Sequence, residues 1–264
     1  MAELEYSKEN GIATILLNRP ERKNSFTLPM IDAWADALAD ARDDDDVRVV
    51  ILRGEGDAFC AGVDLERVSQ EMGADPLGMK EMLRLHVQRI PLLVEDLDKP
   101  LIAAVTGPAV GAGMDMALMC DMRVAGRSAR FCESYIRVGF VPGAGGCYYL
   151  PRLVGIGKAF ELFMTGDFID AEEAYRIGIV NRLVDDDQVL EETYAMAERM
   201  AKAPPVVSGM LKRALYQSAN SDLRTSLDLV SSHMGVVRST PESKATFAKL
   251  RKSVTGGTEE NDKA

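Results

Sequence analysis

The sequence predicts a mixed α/β protein whose C-terminal part is helical. Up to about residue 156, short β-branched apolar runs alternate with amphipathic helical segments. From about residue 157 onward, the apolar residues recur at helical spacing. Of the 264 residues, 47% are hydrophobic and 27% are charged, which is typical of a globular protein with a substantial core.

The first 110 or so residues contain a predicted hairpin, one helix and two buried strands. In LEYSKENGIATILLN, two alternating apolar runs meet at Asn10-Gly11, a pair suited to a tight turn with positive φ. A helix should begin near Leu28-Pro29, because apolar residues then recur at helical spacing. The runs VRVVILRG and LIAAV are short and apolar and end near glycine, which predicts two buried strands.

The remaining elements follow the same alternation until helices take over. A helix that contains Asp115, strands near MRVAG and ARFC, and the glycine-rich stretch VPGAGG come next. Helices are predicted at AFELFMTG and DAEEAYRIG, followed by three more to about residue 252. We therefore expect a core at 1–200, a helical region at 201–252 and a polar, disordered tail at 253–264.

Composition argues against several classes of partner. The net charge of -10 disfavours binding to nucleic acid or to an anionic membrane, because such binding depends on clustered Lys and Arg. The N-terminus is polar, and the longest apolar run, 101–120, is interrupted by Pro108, glycines and Asp115. We expect a cytoplasmic protein without a signal peptide or membrane span.

The four cysteines have neither CxxC spacing nor a nearby histidine pair, so we expect buried reduced thiols and no metal site. These are Cys60, Cys120, Cys132 and Cys147.

VGAGMDM and VGIGKAF both lack the third glycine of a dinucleotide-binding fingerprint. The absence of GxSxG and the presence of only two histidines disfavour a Ser-His-Asp hydrolase.

Two segments share an arrangement suited to binding one oxygen atom. In VVILRGEGDAFCAGVDLERV and LIAAVTGPAVGAGMDMALMC, a buried strand leads into a glycine-containing turn and a helix begins at once. Helix starts leave backbone N–H groups unpaired, and glycine allows close approach to them. Two such starts on neighbouring strands would form an oxyanion hole. Asp115 follows the second turn in an apolar run, where a charge costs several kcal/mol unless it is paired or used.

Several segments together carry a resemblance to a known family. NRPERKNSF, FCAGVDL, PLIAAVTGPAVGAGMDMALMCDMRVA, VPGAGG, LPRLVG and TGDFIDAEEAYRIGIVNRLV resemble successive signatures of the crotonase superfamily, the enoyl-CoA hydratase and isomerase family. The resemblance spans about residues 3 to 252. It implies a spiral of ββα units with a helical C-terminal region that assembles trimers or dimers of trimers. It also implies an acyl-CoA thioester as the ligand, with no metal or redox cofactor.

The resemblance assigns roles to individual residues. The two oxyanion N–H groups would belong to Val63 and Ala112, and they would stabilise a thioester enolate. Asp115 stands where hydratases of the family carry their first catalytic glutamate, and its apolar surroundings should raise its pKa. Tyr135 stands where the second glutamate is expected, and a phenol is a poor base at neutral pH.

Three mechanisms remain open because of Tyr135. Asp115 could be the sole acid/base, with Tyr135 positioning water or the acyl group; this predicts hydration or double-bond isomerisation and is the mechanism we favour. Glu133 could replace the missing glutamate, although a surface position beside a turn is the simpler expectation for it. The chain could instead be a hydrolase, decarboxylase, dehalogenase-like enzyme or non-catalytic acyl-CoA binder. His86, on the variable helix near the acyl pocket, would act only in this third case.

For CoA, the resemblance indicates the side chains of Arg22 and Lys23 and backbone atoms around Ala61 and Asp64. Lys249, Arg251 or Lys252 could reach the CoA of a neighbouring subunit. Tyr148 and Tyr149 are expected to be packing residues, with one of them a candidate for the wall of the acyl pocket. A serine peptidase that shares the spiral fold is the alternative outside acyl-CoA chemistry.

Overall fold

The computed structural model describes residues 2–67 and 75–256, with side chains to residue 251. The chain divides into two compact units, Met1–Met200 and Ala201–Ala264. The first unit contains two β-sheets with helices between the strands. Among the described residues, the second unit contains helices.

The larger sheet is mostly parallel. Its six strands are, in spatial order, β1 (Leu4–Glu9), β2 (Ile12–Leu17), β3 (Val49–Gly54), β4 (Leu101–Val105), β6 (Met122–Gly126) and β9 (Arg182–Val184). The first two strands are antiparallel and all later neighbours are parallel. A smaller sheet contains β5 (Pro108–Val110), β7 (Arg130–Cys132) and β8 (Ile169–Asp170). The predicted α/β class is therefore confirmed.

The hairpin and the two central strands form as the sequence predicts. Asn10 and Gly11 adopt φ values of 53° and 79° in the turn between β1 and β2. Both are the positive values that an Asn-Gly turn supplies at little steric cost. All five residues of β4 are buried, in agreement with a strand that is covered on both faces.

Nine α-helices of at least one turn follow in the described part of the first unit. They are α1 (Leu28–Asp43), α2 (Pro76–Met82), α3 (Arg89–Glu95), α4 (Ala112–Leu118), α5 (Tyr135–Val138), α6 (Gly146–Val154), α7 (Ile156–Thr165), α8 (Ala171–Arg176) and α9 (Val189–Ala201). A π-helical turn, Leu83–Val87, lies between α2 and α3. The predicted helix at Leu28-Pro29 is α1, where Thr27 accepts a hydrogen bond from the Met30 N–H at 3.3 Å.

The second unit contains α10 (Pro205–Ser218), α11 (Leu223–Ser239) and α12 (Pro241–Gly256). Four helices, α9 to α12, thus follow DAEEAYRIG where we expected three, and the last one continues past residue 252. The expected tail is wrong for 253–256, which are helical, and 257–264 lie outside the described residues. Strands β8 and β9 were not predicted, because two or three residues are too few to establish an alternating pattern.

All four cysteines are free thiols. Cys60, Cys120 and Cys132 are buried as expected. Cys147 is exposed, so the expectation is wrong there: it lies in the first turn of α6, whose buried residues are Gly146 and Leu150. No helix among the described residues is both long and apolar enough to cross a membrane.

Candidate active site

The two glycine-containing turns lie side by side and are joined by backbone hydrogen bonds. The Cys60 N–H donates to the Pro108 carbonyl at 3.1 Å, and the Val110 N–H donates to the Cys60 carbonyl at 2.9 Å. A Cβ at Gly113 would overlap the carbonyl oxygen of Cys60, so only glycine permits this approach. The predicted juxtaposition of the two turns is therefore present.

The backbone N–H groups of Val63 and Ala112 are available to a ligand. Neither donates a hydrogen bond within the described part of the chain. Ala112 is the first residue of α4, where an N–H has no partner in its own helix. Between them lies Gly62, with φ of 90°, where a Cβ would stand 3.5 Å from the Ala112 nitrogen. Both residues line the same cavity.

This cavity has a volume of about 250 Å³ and is lined mainly by apolar side chains. They include Phe26, Ile31, Met79, Met82, Leu83 and Phe140. Among the described lining residues, Thr27, Ser134 and Tyr135 have polar side chains, and none is charged. The cavity thus offers two free N–H groups and three hydroxyl-bearing side chains to an otherwise apolar ligand.

Asp115 lies behind the cavity wall rather than in it. It is fully buried in α4 and does not line the cavity. The Tyr135 hydroxyl, from the first residue of α5, donates a hydrogen bond of 2.6 Å to Asp115 Oδ2. Gly146, the first residue of α6, covers the other oxygen, since a Cβ there would overlap Oδ1. The role of catalytic carboxylate that the resemblance gives Asp115 would place it at the substrate, whereas here Asp115 meets the cavity through Tyr135.

Glu133 is buried next to Asp115. It is fully buried, and neither of its carboxyl oxygens has a hydrogen-bond partner within the described residues. The expectation of a surface position is therefore wrong. Glu133 directly follows β7, and the end of that strand is covered: Cys132 is also buried, and its carbonyl accepts the Gly111 N–H. We call Asp115, Glu133 and Tyr135 the acid cluster.

Burial changes the proton affinity of all three members of the acid cluster. It raises the pKa of Asp115 to about 6, while hydrogen bonding from Tyr135 and from the Gly146 backbone acts in the opposite direction. The predicted rise in the Asp115 pKa is confirmed. Burial, and then the charge of Asp115, raise the pKa of Glu133 to about 10. The same two causes raise the pKa of Tyr135. At pH 7 the two carboxyl groups therefore share one negative charge, which the hydrogen bond from Tyr135 favours on Asp115, and Tyr135 is neutral.

Other predicted residues lie outside the acid cluster. His86 Nδ1 lies 2.9 Å from Asp32 Oδ1, and His86 does not line the cavity. Tyr148 and Tyr149 do not line it either, and their rings pack edge to face with centroids 5.2 Å apart. The predicted role of these two tyrosines in packing fits this arrangement.

The residues expected near CoA are distributed around the first turn. Arg22 forms an ion pair of 3.0 Å with Glu66, and Lys23 forms one with Asp57; all four side chains are more than half exposed. Ala61 is exposed at the cavity.

Asp64 is buried, where it forms a 3.0 Å ion pair with Arg19, and its N–H donates to the Phe26 carbonyl at 3.0 Å. In the second unit, Lys249 and Arg251 are exposed, and the side chain of Lys252 lies outside the described part.

Sequence reasoning missed the contribution of Gly146 and the position of Glu133. The signal for Gly146 was the VPGAGG stretch, whose last glycine packs on Asp115. No metal-binding group of three or more His, Cys, Asp or Glu side chains occurs in 2–67 and 75–256.

Comparison with known proteins shows the family to which the chain belongs. The profile of the family described as "Enoyl-CoA hydratase/isomerase" matches residues 7–256. A 1,2-epoxyphenylacetyl-CoA isomerase from Escherichia coli K12 is 37% identical over 225 residues, which cover 84% of each chain. A crotonyl-CoA hydratase from Syntrophomonas wolfei is 33% identical over 93% of this chain and 95% of its own.

The fold agrees as well. The crystal structure of an enoyl-CoA hydratase from Bacillus anthracis superposes with a TM-score of 0.90 at 30% identity, covering 96% of this chain and 97% of that one. Sequence, fold and site geometry lead to one conclusion: the chain belongs to the enoyl-CoA hydratase/isomerase family of the crotonase superfamily and is an enzyme that acts on acyl-CoA thioesters.

Proposed function

We propose that the chain isomerises or hydrates the double bond of an enoyl-CoA thioester, with Asp115 as the principal acid/base. The observation that carries the proposal is the contact between the Tyr135 hydroxyl and Asp115 at the edge of a cavity that also contains two free N–H groups. A base and an oxyanion hole at one cavity are what proton abstraction beside a thioester carbonyl requires.

The thioester oxygen would accept hydrogen bonds from the N–H groups of Val63 and Ala112. When a proton leaves the carbon skeleton, negative charge moves onto this oxygen, and the two donors stabilise the resulting enolate. Each such donor typically contributes ~10² to 10³ in rate. The apolar lining keeps water from competing for these donors.

One ionised carboxylate is sufficient for isomerisation, because the same group can take a proton from one carbon and return it to another. Hydration requires, in addition, a water molecule held beside the base. Neither Asp115 nor Glu133 lines the cavity, so a mechanism in which two carboxyl groups both contact the substrate does not fit the acid cluster. Isomerisation is thus the simpler of the two reactions for this site.

The uncharged lining favours an uncharged acyl group. We further propose that Ala61, Arg22 and Lys23 and the backbone around Asp64 contact CoA. The second unit has many exposed apolar side chains, including Leu215, Leu227 and Met234, and a trimer or a dimer of trimers would cover such surfaces.

The first experiment measures proton exchange at carbon. The protein is incubated with 2-enoyl-, 3-enoyl-, cyclic dienoyl- and malonyl-type CoA thioesters in D₂O, and the products are analysed by mass spectrometry. We expect at least one thioester to gain deuterium at carbon, with a shifted double bond or added water. Asp115→Asn should reduce this at least ~10²-fold while thioester affinity is retained, because the amide keeps the shape but cannot accept the proton.

Three results would contradict the proposal. Thioesters that bind but remain unchanged and unexchanged would indicate an acyl-CoA binder. Labelling by a serine-directed phosphonate without CoA affinity would indicate a peptidase. Loss of CO₂ from a malonyl-type thioester without isomerisation or hydration of any enoyl thioester would indicate a decarboxylase.

A further inference from the structure

We propose that Tyr135 is the residue that exchanges the proton with the substrate carbon, and that it passes its own hydroxyl proton to Asp115 in the same step. This inference rests on the proposed function and concerns which protein atom meets the substrate. It makes Tyr135 a catalytic proton relay rather than a residue that only positions water or the acyl group.

The two oxygens of Asp115 are both covered. Oδ2 accepts the Tyr135 hydroxyl at 2.6 Å, and Oδ1 lies against the backbone of Gly146, where even a methyl group would not fit. The side chain of Asp115 has no exposed surface, whereas Tyr135 lines the cavity. A proton that travels between the cavity and Asp115 therefore has a direct path through the Tyr135 hydroxyl.

The chemistry of the phenol requires the two transfers to be coupled. Burial and the neighbouring charge of Asp115 raise the pKa of Tyr135, so a free phenolate does not form at neutral pH. The phenol oxygen can nevertheless accept a proton if its own proton leaves at the same time. The short hydrogen bond to Asp115 Oδ2 is already aligned for that departure.

The step balances as follows. The substrate C–H bond breaks and a new Oη–H bond forms on Tyr135, using an oxygen lone pair. The original Oη–H bond breaks and an Oδ2–H bond forms on Asp115. The electron pair of the C–H bond moves into the enolate, whose oxygen is held by the N–H groups of Val63 and Ala112. Tyr135 stays neutral, Asp115 becomes neutral, and the negative charge resides on the enolate.

The reverse transfer completes an isomerisation. The proton on Asp115 returns to the phenol while the phenol delivers a proton to a different carbon of the enolate. Glu133 stays uncharged throughout, because its burial beside Asp115 disfavours a second negative charge. Every proton that reaches the substrate is thus one that Tyr135 carried.

The test measures tritium release from a carbon-tritiated thioester, namely the one that exchanges fastest in the panel above. Tyr135→Phe removes the hydroxyl but keeps the ring. We expect release to fall ~10² to 10⁴-fold, the range of general acid/base catalysis, with thioester affinity unchanged. Tyr149→Phe is the matched control, since Tyr149 is a partly buried tyrosine of α6 that does not line the cavity; it should stay within threefold of the parent.

A solvent isotope effect separates the relay from a structural role of Tyr135. Release by the parent protein should be slower in D₂O than in H₂O, because the hydroxyl proton moves in the same step as the carbon-bound hydrogen. A rate that is equal in both solvents, or a Tyr135→Phe variant within tenfold of the parent, would overturn the relay while leaving Asp115 as a direct base. If no thioester in the panel exchanges, the proposed function fails, and the relay fails with it.

Discussion

At the scale of single residues, the charge of Asp115 sets the pH dependence of the reaction. Its pKa is raised to about 6 by burial, so the basic form is present above that pH and is lost as the pH falls through it. We expect kcat/KM for the thioester to rise from pH 4.5 to 7 with a midpoint near 6. Tritium release across this range measures the profile.

A matched variant checks the assignment of this midpoint. The titratable neighbours of Asp115 among the described residues include Glu133, Tyr135, Cys147 and Tyr149, and each has a raised pKa, so all four are neutral over this range. Asp115→Asn should therefore leave a residual rate that does not change over this range. A midpoint near 4, the value of a solvated aspartate, would show that Asp115 is hydrated in solution and would contradict its burial.

The two carboxyl groups of the acid cluster differ in how well the sequence predicts their burial and role. Asp115 could be recognised because it is a lone carboxylate in an apolar helix next to a glycine turn. Glu133 could not, because ARFCESYIRVG has polar residues on both sides, and its burial depends on long-range packing around Asp115 and α4. Burial of a charged residue in mixed surroundings is a tertiary property that a local pattern does not contain.

At the scale of secondary-structure elements, the two turns must approach each other closely to bring their N–H groups together. Gly113→Ala should disrupt this, because the new Cβ meets the Cys60 carbonyl, a backbone atom that already accepts the Val110 N–H. We expect a loss of ~1 to 3 kcal/mol in unfolding free energy from overpacking. The rate should fall ~10²-fold as the oxyanion donors separate. Urea denaturation and tritium release measure the two effects.

Gly157→Ala in α7 is the control for this substitution, since a Cβ there meets no atom within 4 Å. It should be neutral or stabilise by up to ~1 kcal/mol, because alanine reduces the entropy of the unfolded chain. Parent-like stability and rate in Gly113→Ala would mean that the turns can separate without consequence. That result would contradict the role assigned to their contact.

Secondary-structure elements, like the two carboxyl groups, differ in how far the sequence predicts them. The hairpin, α1, β3 and β4 are predicted because each has a strong local signal, such as Asn10-Gly11 or a fully apolar strand. The hydrogen bonds that join Cys60 to Pro108 and Val110 depend on where the strands lie in the sheet. The sequence shows only that the two turns are similar, not that they are bonded to each other. The two-residue strand Ile169–Asp170 exists because β7 offers it a partner.

At the scale of the whole molecule, the acid cluster contributes to the pH dependence of folding. Glu133 has a pKa of about 10 in the folded protein and a value near 4.5 when unfolded. At pH values between these two pKa values, the folded state binds one more proton than the unfolded state. Its contribution to stability is therefore fully present below pH 4.5 and is lost as the pH rises through the folded value, by up to ~1.4 kcal/mol per pH unit. The raised pKa of Asp115 likewise makes the folded state less stable as the pH rises, over the range from 3.8 to about 6.

Glu133→Gln removes this titration while keeping a neutral side chain of the same shape. Relative to the parent, the variant should therefore gain stability as the pH rises, by up to ~2 to 3 kcal/mol between pH 6.5 and 8.5. Urea denaturation at a fixed protein concentration measures the difference at each pH. The control is Glu191→Gln, the same substitution at an exposed glutamate of α9. Parallel curves for Glu133→Gln and the parent would mean that Glu133 is solvated or already ionised in the folded protein, because a buried neutral acid must lose this stability as it loses its proton.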